Sequence, residues 1–316
     1  MERIERSFAE LEYESKKPKT RREKFLERME VLAPWEKLLE KIRPYYPTAG
    51  KGRVPYPLEG MLRVHCVQLF YNVSDPAMED MLYEMESVRR FTGIRLEKVP
   101  DETTILNFRH LLERHGLGKV LFETIKEHLA EEGLVLKEGT IMDASIIASP
   151  ASRKNRKRER DPEMKQTKKG NQWRFGMKLH IGVADQTGVA HSLAATAANV
   201  HDLAPSEELL HGEEERVWGD AGYQGIQKRE EHKDRQVAWH IAMRSGQRRK
   251  LARDPLERLM EECKSSVRAK VEHLFFYVKQ MFGYNKTRYG GLAKNENRLA
   301  LLLGFANLLR GESALV

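Results

Sequence analysis

Cysteine is nearly absent from this chain of 316 residues, which holds only Cys66 and Cys263. Neither has a second cysteine or a suitably spaced histidine beside it, so a disulfide framework and a structural zinc site are both excluded. Both lie in apolar helical contexts and read as small core hydrophobes of a reducing compartment. Long apolar runs are missing too. None approaches the roughly 18 residues of a membrane-spanning helix, and the opening MERIER has no signal-peptide pattern. The expectation is a soluble, cytoplasmic protein with no membrane partner, long enough to bury a sizeable core without staples.

Charge, in contrast, is abundant. Charged residues make up 32% of the chain, with 55 Lys plus Arg against 47 Asp plus Glu, a net charge of +8. A basic balance favours a polyanionic partner. Its distribution is uneven: residues 153–174 contain ten basic side chains and three acidic ones (Glu159, Asp161, Glu163), nearly the whole net excess. A solvated loop is the plain reading of such a run. Its place between two strands favours a phosphate-gripping loop over residues 150–172, with Lys154, Arg156, Lys157, Arg158, Lys168 and Lys169 as contacts.

Two regions differ in periodicity. Residues 1–136 read as an all-helical N-terminal domain for DNA binding or dimerisation. An amphipathic run over 23–42 comes first, then helices over 55–71 and from Ser74 onward, where a proline follows the cap. Asp101 supplies a cap for a helix over 104–114. That helix, with Arg109, is a candidate recognition helix of a helix-turn-helix; an ordinary structural helix is the even alternative. From Gly139 the pattern turns to strands, over 140–148, 173–184 and 189–196, the last two a hairpin around Gly188. A helix near 203–210, strands at 216–219 and 237–242, and helices over 255–282 and 296–309 follow. Residues 137–316 therefore read as a mixed α/β domain rather than a doubly wound one.

Three carboxylates stand out in this second region. Asp143 lies inside the apolar run GTIMDASII (139–147), Asp220 ends VWGD and meets the turn AGYQG, and Glu272 lies in the long helix. Acids in such contexts are paired or bind a cation, and three brought together suit two-metal phosphoryl chemistry on a nucleic acid. At about 100° per residue, Arg268, Glu272 and Lys279 fall in one stripe roughly 40° wide. The acid can then face a metal while its flanking cations face phosphates. Oxygen-only ligands fit Mg²⁺ or Mn²⁺ better than zinc. On the helix alone, an i,i+4 surface pair of Arg268 and Glu272 would be the simpler account.

The spacing Arg268, Glu272, Lys279, continued by FGYNKTRYGGLAKN (282–295), resembles the C-terminal signature of bacterial DDE transposases of the insertion-sequence-five family. GTIMDASII, QTKKGNQW (166–173), FGMKLHIG (175–182), AANVHD (197–202) and DAGYQG (220–225) match further blocks. PYPLE (55–59), YNVSD (71–75) and NFRHLL (107–112) resemble the family's helical N-terminal domain. The resemblance spans nearly the whole chain. Two positions depart from it: Ser265 where an aromatic is common, and Gly290 where a basic residue is.

The resemblance implies a ribonuclease-H-like catalytic domain in which the first and fourth strands are neighbours, setting Asp143 beside Asp220. It implies Asp143, Asp220 and Glu272 as catalytic, metal-binding acids holding two Mg²⁺ or Mn²⁺ ions. Arg268, Lys279, Lys286 and Arg288 become DNA contacts. His201 and Asp202 are auxiliary candidates because their loop leaves the third strand near the sheet's end, although the favoured reading of Asp202 is as the cap of the helix that follows it. The implied function is cleavage at terminal inverted repeats and joining of 3′-hydroxyl ends to target DNA. The protein would act as a homodimer on double-stranded DNA, at the bacterial nucleoid. A domesticated DNA-binding regulator would have lost acids. A ribonuclease-H-like nuclease without strand transfer would need no end-recognising lobe.

Overall fold

The computed structural model describes residues 18–48, 50, 54–152, 159–248 and 255–315. Contacts divide the chain into two compact units, Met1–His115 and Gly116–Val316.

The first unit is helical: α1 Arg21–Leu32, α2 Trp35–Ile42, α3 Leu58–Tyr71, α4 Asp75–Glu84, α5 Glu86–Thr92 and α6 Glu102–Arg114. The single amphipathic run expected over 23–42 is two helices. Ala33 turns extended and Pro34 starts the second, because proline cannot continue an i→i−4 ladder. Helix α3 is buried on every side from Gly60 to Phe70, the mark of a central helix. Asp101 caps α6 as expected, accepting the Thr104 N–H at 2.7 Å.

The second unit opens with α7 (Leu117–Glu131), continues through the strands β1 Gly139–Ala148, β2 Lys165–Lys169, β3 Gln172–Ala184, β4 Ala190–Ala197, β5 Arg216–Gly219 and β6 Ala238–Ile241, with the one-turn helix α8 Ser206–Leu209 between β4 and β5, and ends with α9 Ser245–Arg248, α10 Pro255–Phe276 and α11 Leu292–Leu315. The expected division at residue 136 differs from this contact boundary. Helix α7 packs chiefly on α11: Gly118 lies against the Asn297 carbonyl and Gly304 against Ile125. A helix of about 15 residues gains most of its stability from such an apolar face, so α7 belongs with the sheet.

The sheet is mixed. Strand β1 pairs antiparallel with β3 on one side and parallel with β5 on the other. Beyond them, β4 pairs antiparallel with β3 and β6 parallel with β5. The expected hairpin around Gly188 is β3–β4, and the apolar strands of the centre are buried as their composition requires. Two features were not anticipated. Part of the expected basic loop is strand β2, paired to the start of β3 from Lys165↔Gly176 to Lys169↔Gln172. The long helix also does not stay α-helical to Phe282: Tyr277–Met281 is a π turn, a local widening frequent at functional sites. Asp254, which precedes the proline at the start of this helix, lies outside the described residues.

Candidate active site

Register brings the first two acids together. Met142 pairs with Gly219 in the parallel β1–β5 ladder, and one residue further along each strand stand Asp143 and Asp220. Parallel pairing aligns strand ends that are far apart in sequence, and 76 positions separate these acids here only along the chain. Asp220 leaves β5 and caps a 3-10 turn, Ala221–Tyr223, by accepting the Gly222 N–H at 2.8 Å.

Helix α10 crosses β1 and β5 with Val271, Leu274 and Phe275 buried, and Val278 of the π turn is buried after them. Arg268 sets its guanidinium 3.5 Å from Asp143. Lys279 donates to the Ser145 hydroxyl and the Ile146 carbonyl of β1, each at 2.6 Å. Glu272 is exposed between them on the helix. The stripe Arg268–Glu272–Lys279 thus does flank the acid strand.

Burial chiefly, then the charges of Asp220 and Glu272, push the Asp143 carboxyl up to about 6, against the Arg268 guanidinium and the Ala144 N–H that lower it. Three acids therefore act on one another here, as closely placed carboxylates must. The Lys279 amine is brought down to about 8, first by burial and then by Lys169 and Arg174, with Glu272 opposing. That coupling puts the β2–β3 ribbon within electrostatic reach of the site.

A fourth acid was underrated by sequence reasoning. Asp202 does not cap the next helix, which begins only at Ser206; it is His201 that accepts the Leu203 N–H, through Nδ1 at 3.3 Å. Asp202 instead pairs with Lys178 at 2.9 Å, and Lys178 also donates to the Val200 carbonyl at 2.7 Å, fixing the loop. A Cβ on Gly222 would lie 2.9 Å from Asp220 Oδ1 and 3.3 Å from Asp202 Oδ2, so both acids crowd the one residue that can admit them. His180 is fully buried in β3, bonded to the Thr196 hydroxyl through Nε2 at 2.8 Å, with Nδ1 4.0 Å from Asp202. Burial lowers its pKa to about 4, so it is a neutral sheet histidine, as its mid-strand position predicts.

Tyr223 was not foreseen at all. It is fully buried in the core with Met142, Val217 and Leu209, yet its hydroxyl has no hydrogen-bond partner among the described residues. Burial first, and then the charges of Asp143, Asp202 and Asp220, raise the pKa of that hydroxyl well above the usual phenol value.

The other expected contacts separate into groups. Lys168 and Lys169 are exposed on β2, and Lys286 and Arg288 are exposed after the π turn. Lys154, Arg156, Lys157 and Arg158 lie outside the described residues. Arg109 does not face outward: it is buried and ion-paired with Asp75 at 3.0 Å and Glu113 at 2.8 Å. An arginine paired on both sides inside a helical unit holds that unit together, which removes it from the expected contacts. Trp218 is half-buried, donating to Asp185 at 2.9 Å and stacking on His240 with centroids 4.2 Å apart.

Whether this arrangement suits divalent ions is a matter of donors. Among the described residues no three acid, imidazole or thiol side chains close on one point as a finished ion site does. The donors are nevertheless hard carboxylate oxygens, and the upward shift of Asp143 records chiefly the cost of burying its charge, with a smaller part from Asp220 and Glu272, both of which a dication would offset. Donors of this type suit Mg²⁺ or Mn²⁺ better than a softer ion.

Residues 136–308 match the family described as Transposase DDE domain. The chain belongs to that family. Its N-terminal region, residues 12–111, matches a second one, Transposase domain (DUF772). No solved structure matches the chain. The protein is thus a DNA transposase, an enzyme whose substrate is DNA, and no helix among its described residues is long and apolar enough to cross a membrane.

Proposed function

We propose that this DDE transposase is of the insertion-sequence-five type, that its catalytic unit is ribonuclease-H-like, and that Asp143, Asp220 and Glu272 are its catalytic acids. The observation that carries the reading is the β1–β5 register, which sets Asp143 beside Asp220, with α10 bringing Arg268 and Glu272 to the same strand end. The order β4-β3-β1-β5-β6 supports the fold assignment.

The three acids would hold two Mg²⁺ or Mn²⁺ ions, which when bound polarise the phosphate and favour a deprotonated oxygen nucleophile. The chain's own residues orient the DNA. Arg268 and Lys279 flank the acids, and Lys168, Lys169, Lys286 and Arg288 grip phosphates on either side. In the first step a water oxygen bonds to phosphorus while the bond to the 3′-oxygen breaks. The leaving oxygen ends as a hydroxyl and the flank keeps a 5′-phosphate, one water proton having gone to each product before the phosphate loses its own to solvent. In the second step that 3′-hydroxyl attacks a target phosphodiester, one bond exchanging for another without ATP. Two ends must be held at once, so the acting species is a homodimer.

A labelled duplex carrying the element's terminal repeat, incubated with Mg²⁺, tests this. Cleavage at the repeat boundary is expected from the wild type and none from Asp143→Ala; a variant that cuts at the wild-type rate would overturn the assignment. Addition of pre-cleaved ends to a plasmid should give joined products, which a plain nuclease cannot make.

A further inference from the structure

Helix α10 has two halves with opposite surroundings. Val271, Leu274 and Phe275 of the second half are buried, whereas in Pro255–Cys263 the one buried residue is an acid, Glu261. Glu261 accepts the Met243 N–H at 3.0 Å and the Lys264 ammonium at 2.7 Å. The apolar residues of this first half stand outside instead. Leu256 is 67% exposed, Leu259 56% and Met260 52%, and Cys263 is exposed beside them. Among the described residues no other five-residue stretch holds three large exposed apolar side chains. At about 100° per residue the four lie within an arc of roughly 100°. Single exposed apolar residues are ordinary, but a contiguous stripe marks an interaction surface.

Charge and spacing identify the partner. Pro255–Cys263 carries three acids, Glu257, Glu261 and Glu262, and one base, Arg258, in a chain whose net charge is +8. This half of the helix therefore does not suit the DNA that the basic stretches attract, and its partner is protein. The intervals from Leu256 through Leu259 and Met260 to Cys263 are three, one and three residues, an order that reads the same in both directions. A two-fold axis requires that, since an isologous contact sets residue i on residue j and j on i. With the axis between Leu259 and Met260, Leu256 of one copy meets Cys263 of the other, and Leu259 meets Met260. The flank carrying Glu257 also carries Lys264, at about 100° and 80° from Leu256, and the axis sets that flank against itself. Each Glu257 then comes within a turn of the other copy's Lys264. That ammonium donates to Glu261 and to the Ile241 carbonyl and has a third hydrogen to offer.

We propose that the stripe Leu256, Leu259, Met260 and Cys263 is the surface on which two copies of this chain pair, α10 lying antiparallel to α10 about a two-fold axis. The inference rests on the reading of the acting species as a homodimer and names the face that joins its copies. The same helix carries Arg268 and Glu272, so pairing through it fixes the two active sites relative to each other.

The full-length protein tests this through its own thiol, with and without a terminal-repeat duplex. In the paired helices Cys263 faces Leu256, and the two copies of Cys263 stand about 10 Å apart along the helix direction at roughly 1.5 Å per residue, beyond disulfide reach. Oxidation with copper–phenanthroline should therefore leave the wild type uncrosslinked and convert Leu256→Cys to a disulfide dimer on a non-reducing gel. Leu256→Cys combined with Cys263→Ser should again give none. Sedimentation supplies a second readout: Leu259→Glu with Met260→Glu, at two exposed positions, should lose the dimer while the far-ultraviolet spectrum is kept. Should that variant misfold, the crosslink alone decides. A wild type that sediments as a monomer, alone and with the duplex, overturns the homodimer reading and this face with it. A wild-type dimer that survives the double glutamate substitution, or that Leu256→Cys fails to lock, overturns the face alone. Crosslinking of the wild type through Cys263 overturns it too, since the axis would then lie elsewhere.

Discussion

At the residue scale the chemistry of the site is concentrated in Asp143. Its carboxyl is held near 6, above the ordinary 3.8, first by burial and then by Asp220 and Glu272. A group whose folded value is raised favours the folded state fully below its unfolded pKa and loses that contribution as pH rises through the folded one. Without divalent ions the protein should therefore lose stability between about pH 4 and pH 6, by roughly 3 kcal/mol at about 1.4 kcal/mol per unit. Denaturant unfolding across that window measures it. Asp143→Asn should flatten the slope and be the more stable protein at pH 7; a variant as steep as wild type would show the strain to lie elsewhere. Asp143, Asp220 and Glu272 were all legible as candidates from sequence, because acids in apolar runs stand out. Tyr223 was not, since a tyrosine after a glycine is ordinary until burial without a partner is seen. Arg109 misled in the opposite sense: a basic residue on a short helix reads as a contact until Asp75 and Glu113 close around it.

At the element scale two pieces of structure carry predictions. The β2–β3 ribbon presents Lys165, Lys168, Lys169 and Arg174 in exposed positions, with no acid between residues 164 and 184. If Lys168 and Lys169 meet phosphates, their double substitution by alanine should reduce the slope of log affinity against log salt by about 2, at near 0.9 per phosphate. Fluorescence-anisotropy titrations at several salt concentrations read this, and an unchanged slope would place both lysines in free solvent. The helix pair α7–α11 makes the second. A Cβ at Gly118 would meet the Asn297 backbone carbonyl, an atom that cannot step aside, so Gly118→Ala should cost about 1–3 kcal/mol as an overpacking change. The expected result is a lowered melting midpoint with the far-ultraviolet spectrum retained. Sequence periodicity found most helices and the β3–β4 hairpin. It missed the π turn at Tyr277–Met281, because a widened turn is imposed by packing on the sheet and leaves no mark in residue spacing.

At the scale of the whole molecule, the boundary matters more than either unit's contents. Helix α7 packs with α11 in the unit that begins at Gly116. A fragment of residues 116–316 should unfold cooperatively in urea, whereas one of residues 137–316, with the α7-facing surface of α11 uncovered, should unfold at lower denaturant with a shallower transition. Equal midpoints would return the boundary to residue 136. The net charge of +8 acts at this scale too, drawing the protein to DNA before any specific contact forms.

The sequence by itself determined the chemistry available to this protein: carboxylates in apolar runs, a basic surplus gathered in one stretch, almost no thiol, and two regions of different periodicity. These are properties of residue type and of local spacing, which a linear chain records in full. Tertiary structure alone decided the partners. It joined β1 to β5 and so Asp143 to Asp220, turned Asp202 from a presumed cap toward Asp220, folded part of a loop into a ribbon, and left Tyr223 buried without an acceptor among the described residues. Each of those depends on pairing between segments distant along the chain. Strand register and burial set that pairing, and neither is written at any one position.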